Sequence, residues 1–223
     1  MPVIGIIAEG YTDQLVIEAF LKATWTGEDE PDFRRVQPLD PSPGAHGSYA
    51  PGGWTVLFQA LRGGCHRDAL QYCDLLVLHV DADVCDQVGF DVPRTADPDA
   101  LAQAVEVRLQ GLLGPDFCAQ HGHRICFAVA VDEVECWLLP LFFPKQTAHR
   151  SKTTGCLDKV DEALRARNEL PLRLGSGKNA KAYQQLLRRL KKKDLLAATP
   201  HNPSLRRWVE ALTRADLSSR HGP

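Results

Sequence analysis

Five carboxylates are the residues of this sequence most able to do chemistry. Glu9, the pair Asp81 and Asp83, and the pair Glu133 and Glu135 each follow a short apolar run. Asp81-Ala82-Asp83 is a D-x-D, and alternate side chains of an extended chain share a face, so both aspartates can reach one ion, directly or through water. Carboxylates brought together repel one another unless a cation neutralises them. Oxygen donors on few side chains suit Mg²⁺ or Mn²⁺, which keep several waters and complete their shell with phosphate oxygens. Glu9 would bind the same ion or move a proton. Such a cluster stabilises charge on a transferring phosphoryl group and activates water. The competing reading is that these acids cap helices or pair with Arg and Lys.

Whether they can meet depends on the elements that carry them. Residues 3–8 form an apolar run that reads as a strand buried on both faces. Glu9-Gly10 is a turn, Thr12 a candidate N-cap, and Leu15, Val16, Ala19 and Phe20 follow at helical spacing. Residues 33–39 suggest a second strand, 40–53 a loop, and 54–61 a helix broken at Gly63-Gly64. Leu75 to Val80 is the clearest strand and runs into Asp81. Leu101, Val105, Leu109 and Leu112 make one stripe of a helix over 99–113. Residues 125–131 form another strand, with Asp132 to Glu135 at its end, and helices are expected near 157–168, 178–193 and 203–214. Strands alternating with helices predict an α/β fold with a mainly parallel sheet flanked by helices. In such sheets functional residues gather at the carboxyl ends of the strands, which here are Glu9, Asp81/Asp83 and Glu133/Glu135.

Composition sets bounds. The chain has 223 residues, with 44% hydrophobic and 24% charged, values of an ordinary globular protein rather than a disordered or fibrous one. No stretch approaches the ~20 apolar residues of a membrane span, and with no basic n-region or small-residue cleavage site a signal peptide is not expected. Seven cysteines at scattered spacing, with no C-x-x-C, argue against a disulfide framework and for reduced thiols in a cytoplasm. Charge is split: residues 1–145 hold 9 Lys+Arg and 21 Asp+Glu, a net of −12, and residues 146–223 hold 17 and 7, a net of +10. Two readings stand equally on charge alone. One is a metal-binding acidic site beside a polyanion-binding surface; the other is two halves that attract each other.

The segment Ala8-Glu9-Gly10-Tyr11-Thr12-Asp13, after a strand and before a helix, resembles the first motif of the Toprim domain. Val77-Leu78-His79-Val80-Asp81-Ala82-Asp83 resembles its second. The likeness covers roughly residues 3–140. That domain is shared by topoisomerases, bacterial primases, recombination mediators and nucleases of the overcoming-lysogenization-defect type, and its fold is a small, mainly parallel (Rossmannoid) α/β sheet. The resemblance implies that Glu9 is the general acid/base and metal-associated glutamate and that Asp81 and Asp83 are Mg²⁺ ligands. Asp13 matches the acid after E-G-x-T in the nuclease-like branch. Glu133 and Glu135 resemble a further acidic motif of small stand-alone Toprim-like proteins in bacterial defence loci. Two departures matter: Cys85 stands where some topoisomerases carry a third alternate aspartate, and the chain is too short for the usual separate tyrosine-bearing domain. No zinc-binding module precedes the core, which disfavours a primase.

The expected organisation is a Toprim-like catalytic core over 1–145 and a helical basic extension over 146–223, packed on it. Gly175-Ser176-Gly177 before a helix suggests phosphate contact through backbone N–H groups, with Lys178 and Lys181 assisting. Arg188, Arg189 and Lys192 would add sequence-independent attraction to a nucleic-acid backbone. Other constellations fit less well. Cys118, His121, His123 and Cys126 have zinc-ligand types at unusual spacing. Asp81-Ala82-Asp83-Val84 also resembles the nucleophile motif of haloacid-dehalogenase-type phosphatases, which place it on the first strand. No G-x-S-x-G or G-x-G-x-x-G occurs. His46 and His66 are loop histidines that could join the site. The expected function is a cytoplasmic, Mg²⁺- or Mn²⁺-dependent nuclease, and the resemblance suggests phage defence. The alternative is an inactive nucleic-acid- or partner-binding subunit beside a protein such as an ATPase.

Overall fold

A computed structural model describes residues 1–25, 29–39, 52–175 and 177–214. Four parallel strands form one sheet: β1 (Val3–Ile7), β2 (Asp32–Gln37), β3 (Leu75–Asp81) and β4 (Ile125–Ala130), in the order β2-β1-β3-β4. The expected α/β class and parallel sheet are thus present. Register runs Ile4↔Leu75 to Ile7↔Leu78 between β1 and β3, and Leu76↔Ile125 to Asp81↔Ala130 between β3 and β4. The carboxyl ends of β1, β3 and β4 therefore lie side by side.

β3 is buried along its whole length, and its alternation divides the core. Leu76, Leu78 and Val80 face a cluster with α2 (Trp54–Arg62), α3 (Cys65–Ala69), α4 (Pro98–Leu113) and α5 (Pro115–His121). Leu75 and Val77 face a second cluster with α1 (Tyr11–Thr24), α6 (Leu139–Phe142), α8 (Cys156–Arg165), α9 (Ala180–Leu187), α10 (Lys192–Ala198) and α11 (Pro203–Arg214). A short helix, α7, spans Thr147–Arg150. The period of two then puts His79 and Asp81 on the α1/α9 side.

Several sequence expectations change in detail. α1 starts at Tyr11, and its N-cap is the extended Gly10 rather than Thr12, whose hydroxyl instead donates to Asp13 Oδ1 at 3.4 Å. The helix expected over 178–193 is two, because residues 188–191 turn between α9 and α10. Gly175 and Gly177 belong to a two-strand hairpin, β5 (Arg173–Leu174) and β6 (Gly177–Lys178), rather than to a helix start. α9 is capped by the Asn179 side chain, which accepts from Ala182 N at 3.3 Å. A phosphate cradle of glycines opening that helix is therefore lost, and Ser176 lies outside the described residues. So do His46 and most of the expected 40–53 loop. The expectation of wholly reduced thiols is also corrected: Cys136 and Cys156 are bonded, and the other five cysteines are free. No described helix is long and apolar enough to cross a membrane.

Candidate metal centre

Glu9 follows β1 directly, and its Oε1 accepts the N–H of Asp81 at 2.8 Å. Residues 72 positions apart are thereby joined at one rim. The turn after β1 is held from outside by two glycines. Gly53 N donates to Glu9 O at 2.8 Å with φ +101°, and a Cβ on Gly52 would sit 2.5 Å from that carbonyl oxygen. Only glycine fits so close an approach.

Asp13 enters from the first turn of α1 and is buried. Asp81 and the wholly buried His79 come from the end of β3. His79 Nδ1 donates to Ala128 O at 2.6 Å, and its Nε2 lies 3.3 Å from Asp81 Oδ1, off hydrogen-bond alignment. Asp13, His79 and Asp81 each offer one ligand atom within 4.8 Å of the others. Beyond β4, Asp132 takes φ +67° and turns the chain into a 3-10 segment, Val134–Trp137, that carries Glu135. Glu133 Oε1 accepts Leu157 N at 2.6 Å, and Asp132 Oδ2 accepts Gly155 N at 3.1 Å. Glu135 is fully buried and accepts from Tyr183 Oη.

One cation from the basic half reaches this group. Lys178 Nζ lies 3.0 Å from Asp13 Oδ1 and 2.9 Å from Glu135 Oε1. Burial opposes its charge, yet Asp13 and Glu135 hold its pKa well above the usual lysine value. Burial, then the Asp81 and Asp13 carboxylates, push Glu9 well above the usual range. Burial raises Asp81 to about 6, with Asp13 adding to it while His79 and Lys178 act against it. Burial likewise raises Glu133 to about 7, with Glu135 and Asp81 contributing. Asp83 is raised by partial burial and by Asp132 beside it. His79 is raised despite burial, because Asp81 favours its charged form.

Two buried carboxylate oxygens, Asp81 Oδ1 and Glu135 Oε2, have no hydrogen-bond partner. Buried oxygens without partners, in a set of oxygen donors, are groups that could hold a metal ion. Asp13, His79 and Asp81 form the group with ligand atoms mutually within 4.8 Å; Glu9 joins it through the Asp81 N–H, and Glu135 through Lys178. Asp83, two residues on from Asp81, is exposed.

The five acids chosen from sequence thus sit around the ends of β1, β3 and β4, with Asp83 outermost. Of the five basic residues, Lys178 brings its ammonium onto the acids while the residue itself stays exposed. Arg189 is paired with Glu169 at 2.8 Å, and Lys181, Arg188 and Lys192 are exposed on α9, just after it, and on α10. His66 lies on α3 rather than in a loop, is buried, and packs against Phe117 of α5 with ring centroids 4.6 Å apart. Cys118, His121, His123 and Cys126 form no ligand cluster among the described residues. Sequence reasoning missed His79, Asp132 and Tyr183 as site residues. Only His79 carried a signal: it stands two positions before Asp81 and so shares its face. Comparison with protein-family models, with curated proteins and with solved structures returns no match to this chain.

Proposed function

We propose that this chain is a Toprim-like, divalent-metal-dependent hydrolase of phosphodiester bonds in nucleic acid. The observation that carries the reading is the Glu9 carboxylate seated on the Asp81 N–H, which gives two strand ends one shared rim of acids. Glu9, Asp81 and Asp83 would hold Mg²⁺ or Mn²⁺, with Asp13 and Glu135 closing the buried side and Glu133 assisting. The bound ion would supply charge neutralisation at a phosphoryl oxygen and a more acidic water. Glu9, whose proton is held more tightly than that of an ordinary glutamate, is suited to take up and return a proton. Lys178 offers an ammonium to a phosphate oxygen at the edge of the acids. The exposed Lys181, Arg188 and Lys192 would attract a nucleic-acid backbone without reading its sequence. A setting in phage defence rests on the resemblance alone.

The expected outcome is nucleic-acid cleavage that requires Mg²⁺ or Mn²⁺ and falls at least ~10²-fold in Asp81→Asn and in Glu9→Gln, the loss typical for a general acid or base. Full activity in excess EDTA sinks this reading. One observation favours a second reading, an inactive binding subunit: Lys178 already pairs with Asp13 and Glu135, as a self-neutralised cluster would. A ligand that binds only the folded state raises thermal stability. A rise in Tm with Mn²⁺ that is lost in Asp81→Asn supports the metal centre, and no response in either protein supports the binding subunit.

A further inference from the structure

We propose that the Cys136–Cys156 bond is a thiol–disulfide exchange site that sets the cation affinity of the acidic rim. This rests on the metal-centre reading above. The bond is one of three ties between the segment after β4 and the start of α8. Gly155 N holds Asp132 Oδ2 at 3.1 Å, Leu157 N holds Glu133 Oε1 at 2.6 Å, and Cys156, between them, is bonded to Cys136. The first N–H groups of a helix lack intrahelical partners and favour negative charge, so α8 serves as a clamp on two carboxylates. Glu135, next to Cys136, reaches Lys178 and Tyr183 from the same segment.

The clamped acids repel one another, and the covalent link opposes that repulsion. Two hydrogen bonds remain once the link is cut. The segment 132–136 is then free to move away from Asp81, and the donors of the rim are less well arranged. Ligand orientation by supporting contacts typically changes metal affinity by about 10- to 100-fold.

Both sulfurs are buried, but Thr154 and Gly155, immediately before Cys156, are exposed. Lifting this turn opens the bond to an external dithiol. The dithiol thiolate attacks one sulfur to form a mixed disulfide, and its second thiol then displaces it. Two electrons and two protons pass to Cys136 and Cys156, and the dithiol leaves as its own disulfide. The remaining cysteines do not compete: burial raises Cys65 and Cys73 to about 11 and Cys126 to about 12, and also raises Cys85 and Cys118. Thiols held protonated at neutral pH are poor nucleophiles.

The test uses the full chain, equilibrated with oxidised glutathione or reduced with a phosphine that is then removed. Alkylation of samples unfolded in denaturant should count five thiols in the oxidised protein and seven in the reduced one. Seven in the oxidised sample overturns the proposal. Calorimetric titration with Mn²⁺ should give a Kd about tenfold weaker in the reduced protein, and Cys136→Ser should bind as the reduced protein does in either condition. Equal Kd values in the two redox states overturn the proposal and leave the metal centre standing. Absence of Mn²⁺ binding in both states defeats the metal centre and with it the stated effect on affinity. Hydrogen exchange over residues 132–137 and 152–158 reports the clamp without any metal. Faster exchange on reduction supports it and unchanged exchange overturns it, whether or not Cys136→Ser folds.

Discussion

Glu133 shows how one carboxyl can report on the whole rim. Burial and the neighbouring acids raise it to about 7, against 4.5 for an ordinary glutamate, and Asp81 rises to about 6 from 3.8. A carboxyl raised in the folded state binds its proton more readily there than in the unfolded chain. Its contribution to stability is complete below the unfolded pKa and is lost as pH rises through the folded one. Between about pH 4 and 7 the metal-free protein should therefore lose stability from this pair as pH rises. Glu133→Gln should flatten that slope and raise Tm at pH 8, measured by thermal unfolding in EDTA. A slope equal to that of the unaltered protein would remove Glu133 from this account. Added Mn²⁺ should restore Tm most at high pH, where the carboxylates are charged.

Elements decide how firmly such residues are held. α11 lies against β4 and joins two other elements through stacked rings. Trp208 stacks on Trp137 at 5.0 Å and on Phe20 at 6.2 Å. Trp137 Nε1 donates to Ser204 Oγ at 2.9 Å, also on α11. Because Trp137 is two residues after Glu135, this stack supports the acidic segment from beneath. Trp208→Ala removes a large side chain that is 1% exposed and should cost about 3–5 kcal/mol in denaturant unfolding. It should also weaken Mn²⁺ binding in whatever fraction remains folded. A cost below ~1 kcal/mol would mean that the ring stack is not what holds this segment. The outer edge of α11 is fixed by Arg207, which grips Glu106 of α4 through two bonds of 2.7 Å.

At the scale of the molecule, the charge split has a structural counterpart. Lys178 reaches Asp13, Arg206 reaches Asp99 and Arg207 reaches Glu106, so part of the basic half answers acids of the first half directly. The two halves also share one apolar cluster, in which Phe20, Val77 and Trp137 meet Leu172, Tyr183, Leu195 and Trp208. A chain cut after residue 145 would strip α8 to α11 from the α1 face of the sheet. It should fail to unfold cooperatively by circular dichroism and should aggregate. Cooperative unfolding of that fragment near the Tm of the full chain would show instead that residues 146–223 are an appendage.

The sequence alone determined the four strands of the parallel sheet and the acids that follow them. Those depend on local facts: apolar runs of strand length, helical stripes such as Leu101 to Leu112, and carboxylates that cannot sit inside a buried strand. Even the face taken by His79 was readable from its spacing to Asp81. Only the tertiary structure decided what neutralises what. Lys178 looked like a surface lysine on a basic helix until a hairpin turned it into Asp13 and Glu135, contacts 165 and 43 residues away along the chain. Cys136 and Cys156 likewise had no spacing signal, since their meeting depends on where α8 packs. Local patterning fixes which face a side chain takes, but pairing between distant side chains is set by packing, to which periodicity is blind.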